Sequence, residues 1–120
     1  MSAKPSTQIA VSKALQILEV FRGMNQDMPI GEAVSFLLIA AGETRGGGGL
    51  TVTELSKLGD FSLAAASRYM KSLASKNRHG EPGHEIITDY RDPIDDRRKV
   101  LRVSEKGNVV LQQLADILKK

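Results

Sequence analysis

The sequence contains no cysteine, and phenylalanine, tyrosine and tryptophan together make up 4% of its 120 residues. Without thiols the chain lacks the sulfur ligands of structural zinc. The same absence excludes the sensing of peroxides by cysteine oxidation. Any chemistry of this protein must therefore use other side chains.

Histidine is scarce too. His79 and His84 both fall in Arg78 to Glu85 (RHGEPGHE), a segment with two glycines and a proline. With Glu81 and Glu85 they are residue types that bind metals, but their spacing matches no closed zinc motif, which favours a solvent loop. The chain also has no Gly-x-Ser-x-Gly nucleophile elbow. We expect no metal, no cofactor and no enzymatic activity.

Long apolar runs are missing as well. No run is long enough to cross a bilayer, and the first residues, MSAKPSTQ, lack the basic-then-apolar order of a secretory signal. We therefore expect a cytoplasmic protein without membrane contact. A length of 120 residues, with 41% hydrophobic and 26% charged residues, is typical of one globular domain with a modest core.

The positive charge is unevenly distributed along the chain, which has a net charge of +3. Residues 62–103 hold nine Lys or Arg against six Asp or Glu, whereas the remainder holds eight of each sign. The whole net charge therefore lies in that segment. A nucleic-acid partner is the economical explanation.

A helix-turn-helix is predicted at the beginning of this region. Thr51 stands three residues before Glu54, the spacing of a capping box, so a short helix should begin there. It should stop at Gly59, which can take positive φ, and Ser62 can cap a second helix. Helical spacing predicts that the buried apolar residues of the pair are Val52, Leu55, Leu58, Leu63, Ala66, Met70, Leu73 and Ala74.

The opposite face of the second helix carries only small or basic residues. A helix in the DNA major groove needs small residues near the bases, hydroxyl and Arg groups for base edges, and Lys for phosphates. An ordinary solvated face is the alternative. The predicted DNA-contacting residues are Ser62, Ala64, Ala65, Ser67, Arg68, Lys71, Ser72 and Lys76, with Arg68 and Ser67 as base readers and Lys71 and Lys76 on phosphates.

A β-hairpin is predicted after this helix. Residues 86–91 (IITDYR) and 99–103 (KVLRV) are rich in β-branched and apolar residues, and DPIDDRR lies between them. This pattern is typical of two strands joined by a polar loop. A basic hairpin beside a recognition helix is a wing, and we expect Arg97, Arg98 and Lys99 to contact DNA.

From Leu50 to Leu114 the sequence resembles the multiple-antibiotic-resistance regulator (MarR) type of winged-helix transcription factor. LTVTELSKLGDFSLAAASRYMKSLASKN is similar to the family's helix-turn-helix, and DPIDDRRKVLRVSEKG to its wing and the start of its next helix. Arg78 to Glu85 is an insertion relative to the family. The family's recognition positions fall on Ser62, Ala64, Ala65, Ser67 and Arg68, its wing pair on Asp96 and Arg98, and its Lys-Gly on Lys106 and Gly107.

The resemblance implies a mainly α fold with a small β wing, that is, a winged helix-turn-helix with flanking dimerisation helices. It implies a transcriptional regulator that binds double-stranded DNA, with Arg98, supported by Asp96, in the minor groove. Two recognition helices of a homodimer would enter successive major grooves of a pseudo-palindrome, about 34 to 36 Å apart. A protein-interaction module and a sensor of a small-molecule effector stay open as alternatives.

Helices are also predicted on both sides of this unit, in a single domain divided into residues 1–49, 50–103 and 104–120. Ser6 or Thr7 can cap a first helix. A second should start near Pro29, end at Gly42 and be the most buried. The segment ETRGGGG that follows resembles a flexible connector rather than a phosphate-binding loop.

The last helix, which Ser104 can cap, should pair with the first. Both helices carry more apolar residues than one buried face requires, and such a surplus favours association between chains. The predicted homodimer interface consists of Ile9, Leu15, Leu18, Val110, Leu114 and Leu118.

Overall fold

The computed structural model describes residues 4–44, 49–74, 83–91 and 99–120. Within these ranges the predicted helical fold with one antiparallel hairpin is confirmed. The elements in chain order are α1 (Pro5–Met24), α2 (Ile30–Thr44), α3 (Val52–Gly59), α4 (Leu63–Leu73), β1 (Ile87–Arg91), β2 (Lys99–Val103) and α5 (Glu105–Lys119).

The start signals of the helix-turn-helix are confirmed. Thr51 Oγ1 accepts a hydrogen bond from the Glu54 amide at 3.1 Å, and the Thr51 amide donates to Glu54 Oε1 at 3.0 Å, which completes the capping box. Ser62 Oγ likewise accepts from the Ala65 amide at 3.0 Å. These local bonds determine where α3 and α4 begin.

The end of α3 differs from the prediction. Asp60, and not Gly59, adopts the left-handed conformation, with φ 55° and ψ 41°. Gly59 is the last helical residue, and a Cβ there would overlap the ring of Phe61. Any larger residue at this corner would have to displace the Phe61 ring, so glycine is favoured here for space and not for its backbone freedom.

The predicted core faces of α3 and α4 are correct at their centres and wrong at the corner. Leu55, Met70 and Leu73 are buried, as predicted. Leu58 and Leu63 are instead exposed. They lie on either side of the turn that joins the two helices, and at this turn both side chains are at the surface.

Helix α2 is the centre of the fold and packs against α3, α4 and β2. Phe36 and Ile39 are fully buried, and the charged Glu32 is buried with them, so the prediction of a deeply buried helix is confirmed. Its end was misplaced, since α2 continues beyond Gly42 to Thr44. Residues 45–48 of the predicted connector lie outside the described residues, and Gly49 at its end is buried, with φ 112°.

The hairpin pairs Ile87 with Val103 at its base and Arg91 with Lys99 at its outer end. The loop between them, residues 92–98, lies outside the described residues. Leu50 adds a short bridge on the free edge of β2, because its amide donates to the Leu101 carbonyl at 3.2 Å and its carbonyl accepts from the Leu101 amide at 2.7 Å. The hairpin is therefore attached to the segment that leads into α3.

Helices α1 and α5 pack against each other, as predicted, and Lys13 Nζ donates to the Leu118 carbonyl at 3.0 Å. The predicted cap of α5 is confirmed, since Ser104 Oγ accepts from the Gly107 amide. The predicted cap of α1 is wrong. The helix begins at Pro5 with no side-chain cap, because the fixed φ of proline already suits a first helical position. In the described part of the chain, no helix combines the length and apolarity needed to span a membrane.

Candidate nucleic-acid interface

Helix α4 presents the predicted recognition face to the surface. Its inner side, formed by Ala66, Met70 and Leu73, is buried against the rest of the fold. No acidic residue occurs between positions 62 and 74. Of the predicted contact residues, Ser62, Ala64, Arg68 and Lys71 are exposed, Ala65, Ser67 and Ser72 are partly buried, and Lys76 lies outside the described residues.

An aromatic contact links the turn before α4 to the helix itself, and this contact was not predicted from the sequence. The rings of Phe61 and Tyr69 meet edge to face, with centroids 5.3 Å apart. The Arg68 guanidinium carbon lies 5.7 Å from the centre of the Tyr69 ring, within the range of a cation–π contact. A Cβ on Gly31 of α2 would lie 2.8 Å from the Tyr69 hydroxyl, so α2 approaches this ring closely. The chain has five aromatic residues, and two of them, Phe61 and Tyr69, lie in the helix-turn-helix. Their closeness in the sequence was the signal from which this contact could have been predicted.

The carboxyl end of α4 is capped by the chain that leads into the hairpin. The amides of His84, Ile86 and Glu85 donate to the carbonyls of Ser72, Leu73 and Ala74, at 2.9, 2.9 and 3.0 Å respectively. These bonds satisfy acceptors that a helix end leaves unpaired. Helix α4 is therefore held at both ends, by Ser62 at its start and by residues 84–86 at its end.

The expectation of a solvent loop is wrong for Gly83 and His84, which are partly buried, whereas Glu85 is exposed. His84 is partly buried, and its Nε2 lies 3.4 Å from Oε2 of Glu32, a side chain of α2 that is 4% exposed. The reason is that this segment must return across α4 and α2 to enter β1. His79 and Glu81 lie outside the described residues.

The base of the wing is held by a residue that sequence reasoning had placed in the connector. Glu43, near the end of α2, accepts a hydrogen bond from the Val103 amide at 3.2 Å, and its second oxygen lies 3.9 Å from Arg102 Nε. Lys99 is exposed, with Nζ 3.7 Å from the carboxylate of Asp89. The predicted wing residues Asp96, Arg97 and Arg98 lie outside the described residues.

The six residues predicted to form the homodimer interface fall into two groups in the structure. Ile9, Leu15, Leu18 and Leu118 are exposed. Val110 and Leu114 are buried in the chain's own core, because the face of α5 that carries them packs inward. Between α1 and α5 lies an open groove of about 480 Å³, lined by Ser12, Leu15, Gln16, Glu19, Val20 and Ile117.

A second, smaller pocket of about 160 Å³ lies between α1, the turn after it and α2. Phe21, Met28 and Ala33 contribute apolar walls, and Arg22 and Asn25 line the same space. No residue of α4 lines it. A small molecule bound there would therefore not contact α4 directly.

No protein-family model and no curated protein sequence matches this chain. Solved structures of MarR-type regulators do. MepR of S. aureus bound to DNA has 21% identity and a TM-score of 0.65, covering 94% of this chain and 78% of its own. MepR bound to ethidium bromide has 16% identity and a TM-score of 0.67, covering 98% and 76%.

A mutant of MarR from E. coli in complex with operator DNA is similar to the same extent, with 17% identity, a TM-score of 0.60 and coverage of 93% of this chain and 69% of its own. Matches at these identities establish the fold. The chain has the winged-helix fold of MarR-type regulators, and the helix that sequence reasoning assigned to the major groove is the second helix of its helix-turn-helix.

Proposed function

We propose that this protein is a transcriptional regulator that binds double-stranded DNA sequence-specifically, with α4 in the major groove. The observation that supports this is the face of α4, which is exposed, free of acidic residues and held at both ends by hydrogen bonds. A rigid basic helix of this kind has the geometry for groove binding. The DNA complexes of MepR and MarR, which share the fold, support the same assignment.

The residues divide into base readers and phosphate contacts. Arg68 and Ser67 would donate to base edges, and the stacking of Arg68 on Tyr69 restricts the conformations from which it starts. Lys71, one turn further along, would meet a phosphate. Lys76 at the end of the helix face and Arg97 and Lys99 of the basic hairpin would add contacts. By resemblance to the family, Arg98 would do so too, with Asp96 supporting it.

We further propose a homodimer. The exposed apolar residues of α1 and α5 supply a surface that a second copy could cover, and a two-fold axis there would relate two copies of α4. Paired helices about 34 to 36 Å apart would read a pseudo-palindromic site. The interface in this proposal consists of Ile9, Leu15, Leu18 and Leu118.

The decisive experiment measures affinity for duplex DNA as a function of salt. Affinity should fall with a log-log slope of about −0.9 for each phosphate contact. Lys71→Ala should weaken binding to all sequences alike and reduce that slope by about one. Arg68→Ala should cost about 1 to 3 kcal/mol on the preferred site and relax the choice of one base.

Lys57→Ala is the matched control, because Lys57 is an exposed lysine on α3 that we assign no contact. It should leave both affinity and slope unchanged. Affinity that does not depend on salt would contradict the proposal and favour a protein-interaction module instead.

A further inference from the structure

The first turn of α4 is short of groups that can hydrogen-bond to a base. It consists of Leu63, Ala64 and Ala65, which carry no polar side-chain atoms. The hydroxyl of Ser62, which accepts the Ala65 amide as the helix cap and keeps its O–H as a donor, lies before this turn. In a recognition helix, however, the amino-terminal residues are those that reach the base edges. Base reading by this turn must therefore rely on apolar contact.

Leu63 is the residue of this turn with the reach to make such a contact. Its side chain is 56% exposed, although its position in the helical pattern predicted burial. A single exposed leucine is ordinary on a protein surface, so its position carries the argument. At four-residue intervals Leu63, Ser67 and Lys71 form one ridge of the helix, and Ala64 and Arg68 lie on the next. Leu63 is thus part of the proposed DNA face.

The chemistry of the major groove specifies the partner. Of the base-edge features in that groove, the C5 methyl group of thymine is the apolar one. Ala64 and Ala65 end at Cβ, which allows the helix backbone to come close enough for the longer Leu63 to touch the base edge. We infer that Leu63 is a specificity-determining residue that packs against the methyl group of a thymine in each half-site. This inference rests on the proposed DNA-binding function.

The test uses the full-length chain and its preferred duplex, selected from a random-sequence pool. Each thymine of that duplex is replaced, one at a time, by deoxyuridine, which lacks the methyl group and keeps every hydrogen-bonding edge. At one thymine per half-site the replacement should weaken wild-type binding about four-fold, because burying one methyl-sized group stabilises by about 0.8 kcal/mol and 1.4 kcal/mol corresponds to ten-fold.

Variants distinguish the loss of the Leu63–methyl contact from a general loss of DNA affinity. Leu63→Ala should bind the thymine and uracil duplexes equally, and Leu63→Met, which retains an apolar side chain of similar reach, should keep the preference for thymine. Leu58→Ala is the matched control, since Leu58 is 59% exposed and lies on α3. It should behave as wild type. Both positions are exposed, so the thermal midpoint of all three variants should hardly change.

The inference is wrong if the wild-type protein binds a preferred site but no thymine replacement matters, or if Leu63→Ala discriminates thymine from uracil as well as wild type does. If the wild-type protein selects no sequence from the pool, the proposed function itself fails, and the inference falls with it.

Discussion

Gly107 lies where the first turn of α5 crosses the chain just before β1. A Cβ there would overlap the Ile86 carbonyl oxygen and lie 2.6 Å from a methyl group of Val103. Ile86 cannot move aside easily, because the same carbonyl accepts the Ser104 amide at 3.1 Å. The Lys-Gly pair expected from resemblance thus has a packing cause at its glycine.

Gly107→Ala is therefore expected to lower the free energy of unfolding by about 1 to 3 kcal/mol, as overpacking of a filled site does. Gly23 is the matched control. It also lies in a helix, but a Cβ there would meet nothing within 4 Å, so Gly23→Ala should stabilise by about 0.5 to 1 kcal/mol. Urea denaturation of both variants measures this, and shifts in the same direction would contradict the packing argument.

Glu32 and His84 form a polar contact between two segments that are distant in the sequence. Glu32 Oε2 is buried and, among the described residues, has no hydrogen-bond partner, so the His84 ring at 3.4 Å is its polar neighbour. A buried carboxylate without such a neighbour is destabilising. The pair joins the chain after α4 to the first turn of α2.

Removing the ring by His84→Ala should lower the free energy of unfolding by about 1 to 3 kcal/mol, because the buried oxygen then loses its polar neighbour. In a Glu32→Gln background the same change should have a smaller effect, since an amide is less unfavourable to bury than a carboxylate. Denaturation of the four proteins gives the coupling energy. Strictly additive effects would show that the two side chains do not interact.

At the scale of elements, the free edge of β2 is completed by two different groups. The Leu101 amide pairs with the Leu50 carbonyl, and two residues further on the Val103 amide pairs with the Glu43 carboxylate. A carboxylate thus takes the place that a strand carbonyl would occupy. This bond also connects the end of α2, beyond Gly42, to the base of the wing.

Glu43→Ala should therefore accelerate hydrogen exchange at the Val103 amide and leave the Leu101 amide protected, because only the former loses its acceptor. Glu43→Gln retains an acceptor oxygen and should restore much of the protection. Amide exchange followed by NMR resolves the two positions within one strand. Equal acceleration at both amides would instead indicate opening of the whole hairpin.

At the scale of the whole molecule, α1 is the least covered helix of the fold. Its single buried residue is Phe21, although it is 20 residues long. Leu15 and Leu18 remain exposed on it, and Leu118 is exposed on the neighbouring α5. Burying one such side chain stabilises by about 1.5 to 3 kcal/mol, so a second copy of the chain would gain by covering them.

The double variant Leu15→Glu, Leu118→Glu is expected to be a folded monomer, because both side chains are exposed and charge opposes only their association. Leu114→Glu is the contrast, since Leu114 lies in the core and a charge there should unfold the chain. Light scattering and circular dichroism separate the two effects. A wild-type protein that is monomeric at micromolar concentration and still binds a palindrome tightly would exclude the dimer.

Local sequence specifies the starts of α3, α4 and α5, since each depends on a cap whose donor and acceptor lie three residues apart, as Thr51 and Glu54 do. Hairpin strands and the acid-free face of α4 were predictable for the same reason, because periodicity is local. Tertiary structure alone decided that Leu58 and Leu63 are exposed and that Val110 and Leu114 are buried, because burial depends on which elements pack together. It also decided the bonds of Glu43 and His84, whose partners lie 60 and 52 positions away along the chain.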